Sequence, residues 1–336
     1  MAPPYGFETT ATEVAADLSA NIRGKTVLIT GVTPNSLGSH FATTIAQHSP
    51  ALLILASRTQ ASLDATTAAI HAQHPSLPIR TVRVDLSSLA SARAAAATVV
   101  AMQRAGTVID VLVLNAGVMA CPYSTTTSDG GFELQFGTCH LGHFVFANAI
   151  VPGMLGPGRP GRTPRVVVVS SEAHQLGPVR FTDPGFGGGK EYDKWRAYGQ
   201  AKTANCLYAW SLAEKLGARG LQAYSLHPGG IVTNLGKHID MQGDDVSKMC
   251  EIYRSVGSPL GFPEHMEKLK FKNHDQGTAT HVVAAFSDDL KEHNGQYLVD
   301  CKIASWDVVS PWARNSFDAE RLWKMSEDMV GEKFEF

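Results

Sequence analysis

The chain has 336 residues, 44% of them apolar, which is material for one large α/β core or two smaller ones. Its formal charge of -2 gives no general attraction to nucleic acid or to an anionic membrane, and no long basic run is present. The five cysteines are scattered, with neither a C-x-x-C pair nor zinc-ligand spacing, which suits a reducing compartment and leaves small-molecule chemistry as the expectation.

The opening stretch MAPPYGFETTATEVAADL carries acidic residues and no basic start before an apolar run. It does not read as a signal peptide, so residues 1–23 are expected as an N-terminal extension of a cytoplasmic protein. The first strand is expected at 25–31 (KTVLITG), and TGVTPNSLG at 30–38 follows it and opens a helix. Gly31 allows a tight turn, Gly38 allows a pyrophosphate to approach the helix N-terminus, and Asn35, Ser36 and Leu37 lie between them. The spacing G-x6-G differs from the usual G-x-G-x-x-G, so a plain strand-to-helix turn stays open as the alternative.

The second strand, at 51–57, ends in Ser57, Arg58 and Thr59, where an NAD enzyme would place an acidic residue against the ribose hydroxyls. A guanidinium pairs with a 2'-phosphate that a carboxylate would repel, which points to NADP(H). Helices are expected at 62–74 and, opened by a serine cap, at 87–103, with a third strand between them at 79–85. Asp85 at its end could accept from an adenine amino group or cap the next helix. Further strands are expected at 108–117, 165–171 and 221–229. The uncharged stretch from 134 to 158 contains Gln135, His140, His143, Asn148 and Pro152 and makes a poor bilayer span.

Continuous apolar strands separated by helices imply a parallel sheet covered on both faces, a doubly wound α/β fold. The Gly/Pro-rich breaks at 156–164 and 183–191 read as surface loops within a single domain spanning 1–336, because the strand and helix pattern resumes after each. Residues 235–275 show no clear strand and are expected to form a substrate lid. A helix at 276–287, a strand at 296–300 and a helical tail at 310–336 complete the chain.

YGQAK at 198–202 places Tyr198 and Lys202 one helical turn apart, so phenol and ammonium can enter one cleft. The pattern alone fits an ordinary helix face equally well. His140, His143 and His174 lie in no metal motif and read as satisfied or half-buried histidines, and no metal is expected.

Taken together, TGVTPNSLG, VDL (84–86), NAG (115–117), VVVSS (167–171), YGQAK and HPGGIVTNL (227–235) occur in an order that resembles the classical short-chain dehydrogenase/reductase family over residues 20–310. LGHF (141–144), SSEAH (170–174) and the long interval from Ser171 to Tyr198 are similar to its retinol-dehydrogenase-like branch and to fungal oxidoreductases of that type. The resemblance implies a Rossmann-type domain with seven parallel strands in the order 3-2-1-4-5-6-7. It also implies NADPH-dependent reduction of a ketone or aldehyde to an alcohol, reversible in principle.

Residue by residue, it assigns Tyr198 as proton donor, Lys202 as the group that tunes it and holds the nicotinamide ribose, and Ser171 as the partner of the substrate oxygen. Leu86 falls in the adenine-side segment with Asp85. Asn115, Ala116 and Gly117 line the adenine ribose, and Thr233, after the Pro228–Gly229 turn, contacts the carboxamide. Many relatives are homodimers or homotetramers built through helices on the outer faces of the sheet. A secondary-metabolite ketone is the substrate the resemblance suggests. Tyr123, Phe181, Phe186, Tyr192, Trp195 and Tyr253 are expected to flank it, pointing to a bulky apolar or aromatic molecule.

One position departs from the pattern. Where the family usually has an asparagine that completes the catalytic set, this chain has Cys139. A thiol hydrogen-bonds weakly, so three readings are open: a tolerated buried residue, an impaired proton relay, or a reactive thiol. An impaired relay would leave a Rossmann protein that serves as a non-redox enzyme, a nucleotide sensor or a scaffold.

Overall fold

The computed structural model describes residues 5–126, 130–155, 162–240, 243–257 and 270–336. Six β-branched, apolar runs form the parallel strands β1 (Thr26–Thr30), β2 (Leu52–Ser57), β3 (Ile79–Arg83), β4 (Val111–Leu114), β5 (Arg165–Val169) and β6 (Gln222–His227). Every residue of β1, β4 and β5 is buried, as a parallel strand covered on both faces requires. Along β1 the side chains alternate: Leu28 enters one apolar core, Val27 and Ile29 the other.

The sheet continues through β7 (Tyr297–Val299) to β8 (Lys302–Ile303), in the order β3-β2-β1-β4-β5-β6-β7-β8. The seven expected strands are present in the expected order, and an eighth, antiparallel strand extends the sheet. Asp300 and Cys301 both have positive φ (48° and 64°) and reverse the chain in two residues, pairing Leu298 with Ile303. Asp-Cys is not a hairpin dipeptide that the sequence advertises. The strand order reverses between β1 and β4, which opens a crevice at their carboxyl ends.

One face of the sheet carries α5 (Leu89–Arg104), α7 (Gly142–Met154), α8 (Lys194–Leu216) and α11 (Ser316–Val330); the other carries α1 (Ala11–Asp17), α3 (Leu37–Ala46), α4 (Gln60–His71) and α10 (His274–Phe286). The short α2 (Ser19–Ile22) leads into β1, and α6 (Leu134–Phe136) precedes α7. Residues 5–23 are built into the second core: Val14 and Ala15 are fully buried, and Thr12 bonds Asp275 at the start of α10. At the other end, Trp323 of α11 packs on Phe144 and Tyr208, so α7 and α8 are covered by the chain's own tail.

Within 235–275, residues 241–242 and 258–269 lie outside the described residues, as do 156–161 of the first Gly/Pro-rich break. The described part holds α9 (Asp245–Ser255), whose Val246, Met249, Cys250 and Tyr253 repeat at helical spacing and face one cluster. No described helix is long and apolar enough to cross a membrane.

Candidate active site

The loop after β1 is a closed hydrogen-bonded nest. Ser36 caps α3: its hydroxyl accepts from Ser39 N (3.1 Å) and donates to the Gly31 carbonyl (2.9 Å). Asn35 takes a left-handed conformation (φ 61°), and its carbonyl accepts from His274 Nε2 at 3.0 Å. The N–H groups of Leu37 and Gly38 have no intrahelical acceptor, so the helix mouth is ready for an anion. A Cβ on Gly38 would lie 2.5 Å from the Gly31 carbonyl oxygen, and one on Gly31, at φ 79°, would lie 2.7 Å from Ala116 Cα. Only glycine fits at either position, which is the shape a pyrophosphate cradle needs.

Asn115 turns its side chain onto this loop, donating to the carbonyls of Thr30 (3.0 Å) and Gly31 (3.2 Å). Its role here is to close the nest. At the edge of the crevice, Ser57 is buried, Thr33 approaches it at 3.5 Å, and Arg58 next to it is exposed. Asp85 does not cap α5; that is Ser88. Instead Asp85 Oδ1 accepts from the amide and hydroxyl of Ser87, which holds the turn that contains Leu86. A Cβ on Gly142 would be 2.2 Å from the Leu86 carbonyl oxygen, so α7 presses directly on that turn.

Tyr198 and Lys202 lie on the buried inner face of α8. The Tyr198 phenol faces Ser171 just beyond β5. Lys202 Nζ donates to the Val169 carbonyl at 2.9 Å. Ser170 points the other way, its hydroxyl donating to the Lys202 carbonyl at 2.7 Å, so strand alternation leaves Ser171 as the serine in the cleft. Burial pushes the Tyr198 phenol up and the Lys202 ammonium down; the neighbouring Ser171 hydroxyl opposes the first. Tyr198 therefore holds its proton at neutral pH in this site.

Cys139 sits in a π-turn (Gly137–Leu141) between α6 and α7, fully buried. Its Sγ lies 3.4 Å from both Val118 N, which donates to it, and Val118 O, which accepts from it. The thiol thus engages backbone in both senses, as a side-chain amide would, although each bond is weaker. Lys202 lies near enough to favour the thiolate, but burial outweighs it and raises the thiol's pKa. That argues against the reactive-thiol reading. A Cβ on Gly117 would meet Cys139 Sγ at 3.3 Å and Lys202 Nζ at 3.8 Å, so this glycine lies between the two.

The side of the cleft next to Tyr198 is apolar. Trp195, Tyr198 and Tyr253 share a cluster with Leu176 and Ile252, joined by Met119, Ile239 and Met249. Tyr123 and Tyr192 meet edge to face, and Phe186 packs beneath Tyr192. Phe181 does not flank the site; it lies under Arg321 of α11 and packs on the far core. Thr233 caps a short turn, and Pro228 and Gly229 lead into it; a Cβ on Gly229 would be 2.7 Å from the Lys272 side chain. His140, His143 and His174 are buried and hydrogen-bonded, and among the described residues no group of three could hold a metal. Sequence spacing missed Lys272, buried and paired with Asp300 at 2.6 Å, because its partners are distant in the chain.

Comparison with known proteins places this geometry. Residues 25–183 match the short chain dehydrogenase family model. Retinol dehydrogenase 12 of Mus musculus is 33% identical over 317 residues, covering 94% of this chain and 90% of that protein. The chain belongs to the short-chain dehydrogenase/reductase family, in its retinol-dehydrogenase-like branch. Among solved structures, this family member is similar to an uncharacterised protein from Mycobacterium Paratuberculosis (TM-score 0.65, 27% identity, 95% of this chain and 98% of that one). It shares its fold with a gluconate 5-dehydrogenase from Burkholderia cenocepacia in complex with NADP and tartrate (TM-score 0.59, 19% identity, 84% and 96% covered).

Proposed function

We propose that this oxidoreductase reduces a bulky apolar or aromatic ketone or aldehyde to an alcohol, using NADPH. The observation that carries the reading is the Tyr198 phenol facing Ser171, with the Lys202 ammonium one turn further along the same helix face. The glycine-only floor at Gly31 and Gly38 and the open mouth of α3 suit a dinucleotide pyrophosphate. Arg58, exposed beside Ser57, suits a 2'-phosphate, and Asp85, Leu86, Ala116, Gly117, Pro228, Gly229 and Thr233 would line the rest of the cofactor. When bound, the nicotinamide supplies the hydride.

The chain's own part is to place and protonate the substrate oxygen. Ser171 Oγ offers that oxygen a hydrogen bond as negative charge develops on it, and Tyr198 Oη delivers a proton. Burial keeps the phenol protonated at neutral pH, which is the form that carbonyl reduction uses. Lys202 Nζ lies 5.6 Å from the centre of the Tyr198 ring, a distance from which its charge would favour the phenolate left behind. The cluster around Trp195 and Tyr253 would receive the apolar body of the substrate.

Fluorescence titration of the purified chain with NADPH and with NADH, followed by turnover of aromatic and aliphatic ketones, tests the reading. NADPH preference and carbonyl turnover are expected. Binding of neither nucleotide would overturn it in favour of a scaffold that keeps the fold.

A further inference from the structure

His143 is a buried imidazole in α7, one turn after Cys139, and its hydrogen-bond roles follow from its neighbours. Its Nε2 lies 2.9 Å from Thr30 Oγ1 and its Nδ1 lies 3.1 Å from the Cys139 carbonyl oxygen. The Thr30 hydroxyl already accepts two amide protons, from Asn115 at 3.0 Å and Ala116 at 3.1 Å. Two acceptances fill its lone pairs, so its own proton goes to His143 Nε2. That leaves Nδ1 carrying the ring proton, and Nδ1–H donates to Cys139. Burial lowers the pKa of this imidazole to about 4, which keeps one neutral tautomer in place.

The same π-turn thus grips the segment after β4 twice. The Asn115 and Ala116 amides hang on Thr30 and, through it, on the His143 ring; Val118 hangs on the Cys139 thiol. Gly117, between the two anchors, is the residue that faces both Cys139 and Lys202.

We infer that His143 is a positioning residue, a neutral imidazole that fastens the Asn115–Gly117 segment to the Cys139 turn and so fixes the wall between the nucleotide crevice and Lys202. The part of the inference that concerns nucleotide binding rests on the function proposed above.

The test compares His143→Leu, which fills the space without polar atoms, with His143→Gln, whose amide offers one acceptor and one donor. In His143→Leu the Thr30 hydroxyl and the Cys139 carbonyl lose a buried partner, so NADPH affinity should fall about 10-fold or more. The nucleotide KM should rise more than kcat falls. His143→Gln should recover affinity to within about threefold of the parent. Hydrogen exchange at the Asn115 and Ala116 amides should speed up in the leucine variant alone, a readout that needs no cofactor. A folded leucine variant with parental exchange and affinity overturns the proposal. If the leucine variant does not fold, a folded glutamine variant that loses more than about tenfold in affinity and exchanges faster at both amides overturns it, and one that keeps both supports it. A parent chain that binds no nucleotide defeats the functional reading instead, and the exchange rates then decide the fastening by themselves.

Discussion

The loop after β1 and the loop after β6 both leave the carboxyl end of a central strand, yet they are built differently. In the first, the Thr30, Gly31 and Asn35 carbonyls and the Ser36 hydroxyl are all engaged, by Asn115, Ser36, His274 and Ser39. In the second, Gly230 accepts from Lys272 N at 2.8 Å and Thr233 caps one turn, while Val232 is 77% exposed and Leu235 is 36% exposed. A loop that must present amides to a fixed phosphate gains from being rigid before binding. In the second loop, whose Thr233 would still line the cofactor, the uncovered Val232 and Leu235 would suit an apolar substrate on the proposed function.

The largest effect is expected at the proposed proton donor, which neither loop carries. Tyr198→Phe keeps the ring that packs with Trp195 but removes the proton donor, and kcat/KM for carbonyl reduction should fall by about 10²–10⁴ with nucleotide affinity unchanged. Steady-state kinetics beside a fluorescence titration would separate the two quantities. Equal losses in both would show that Tyr198 serves the nucleotide side.

A matched pair of glycines tests the contrast in rigidity. Gly38→Ala puts a methyl 2.5 Å from a backbone oxygen, whereas the same change at Gly236 makes ordinary contacts with Ile239 Cδ1 at 3.7 Å and Met119 Cε at 4.0 Å. The first should weaken nucleotide binding by about 10–100-fold, by analogy with an overpacked core, and the second should leave it unaltered. If both are silent, the first loop is no more rigid than the second. Arg58→Ala should raise the NADPH dissociation constant about tenfold and leave that for NADH alone, since an exposed charge-assisted bond lies at the low end of its range. Raised salt should mimic it.

The smallest change concerns stability and pH. Burial lowers the pKa of His140 to about 3 and those of His143, His174 and His281 to about 4. Their folded values lie below the unfolded value near 6.5, so below that pH the unfolded chain takes up protons that the native chain does not. The stability these groups leave intact above the unfolded value is lost as pH falls towards about 4. Glu133 runs the other way: burial raises it to about 7, so its contribution is full below its unfolded value and is lost as pH rises through 7. His227 is likewise lowered to about 3 by burial and Glu172 likewise raised, and five imidazoles outweigh two carboxyls. The urea midpoint should therefore drop between about pH 7.5 and about pH 5. A midpoint that rises on acidification would show that the imidazoles are hydrated.

Much of the nucleotide half could be read from the chain because its determinants are local. β-branched runs, the serine caps and the glycines of 30–38 act over a few residues, and so does the i, i+4 spacing of Tyr198 and Lys202. The eighth strand could not be read this way, because its turn uses Asp300 and Cys301, residues that reach positive φ only when the sheet holds them there. The helix at 245–255 was legible in its periodicity but was obscured by a polar, strandless surrounding. Phe181 was placed near the substrate by its position in the chain, whereas packing turned it to the opposite core.

The amino-acid pattern by itself determined a doubly wound sheet, a cradle after the first strand and a Tyr–Lys pair on one helix face, since each follows from side-chain periodicity or from backbone conformations that few residues allow. Only the tertiary structure decided which serine meets Tyr198, that Cys139 bonds Val118, and which nitrogen of His143 carries the proton. Those depend on hydrogen-bond partners drawn from strands and helices far apart in the chain, and a buried polar atom takes its role from whichever partners surround it.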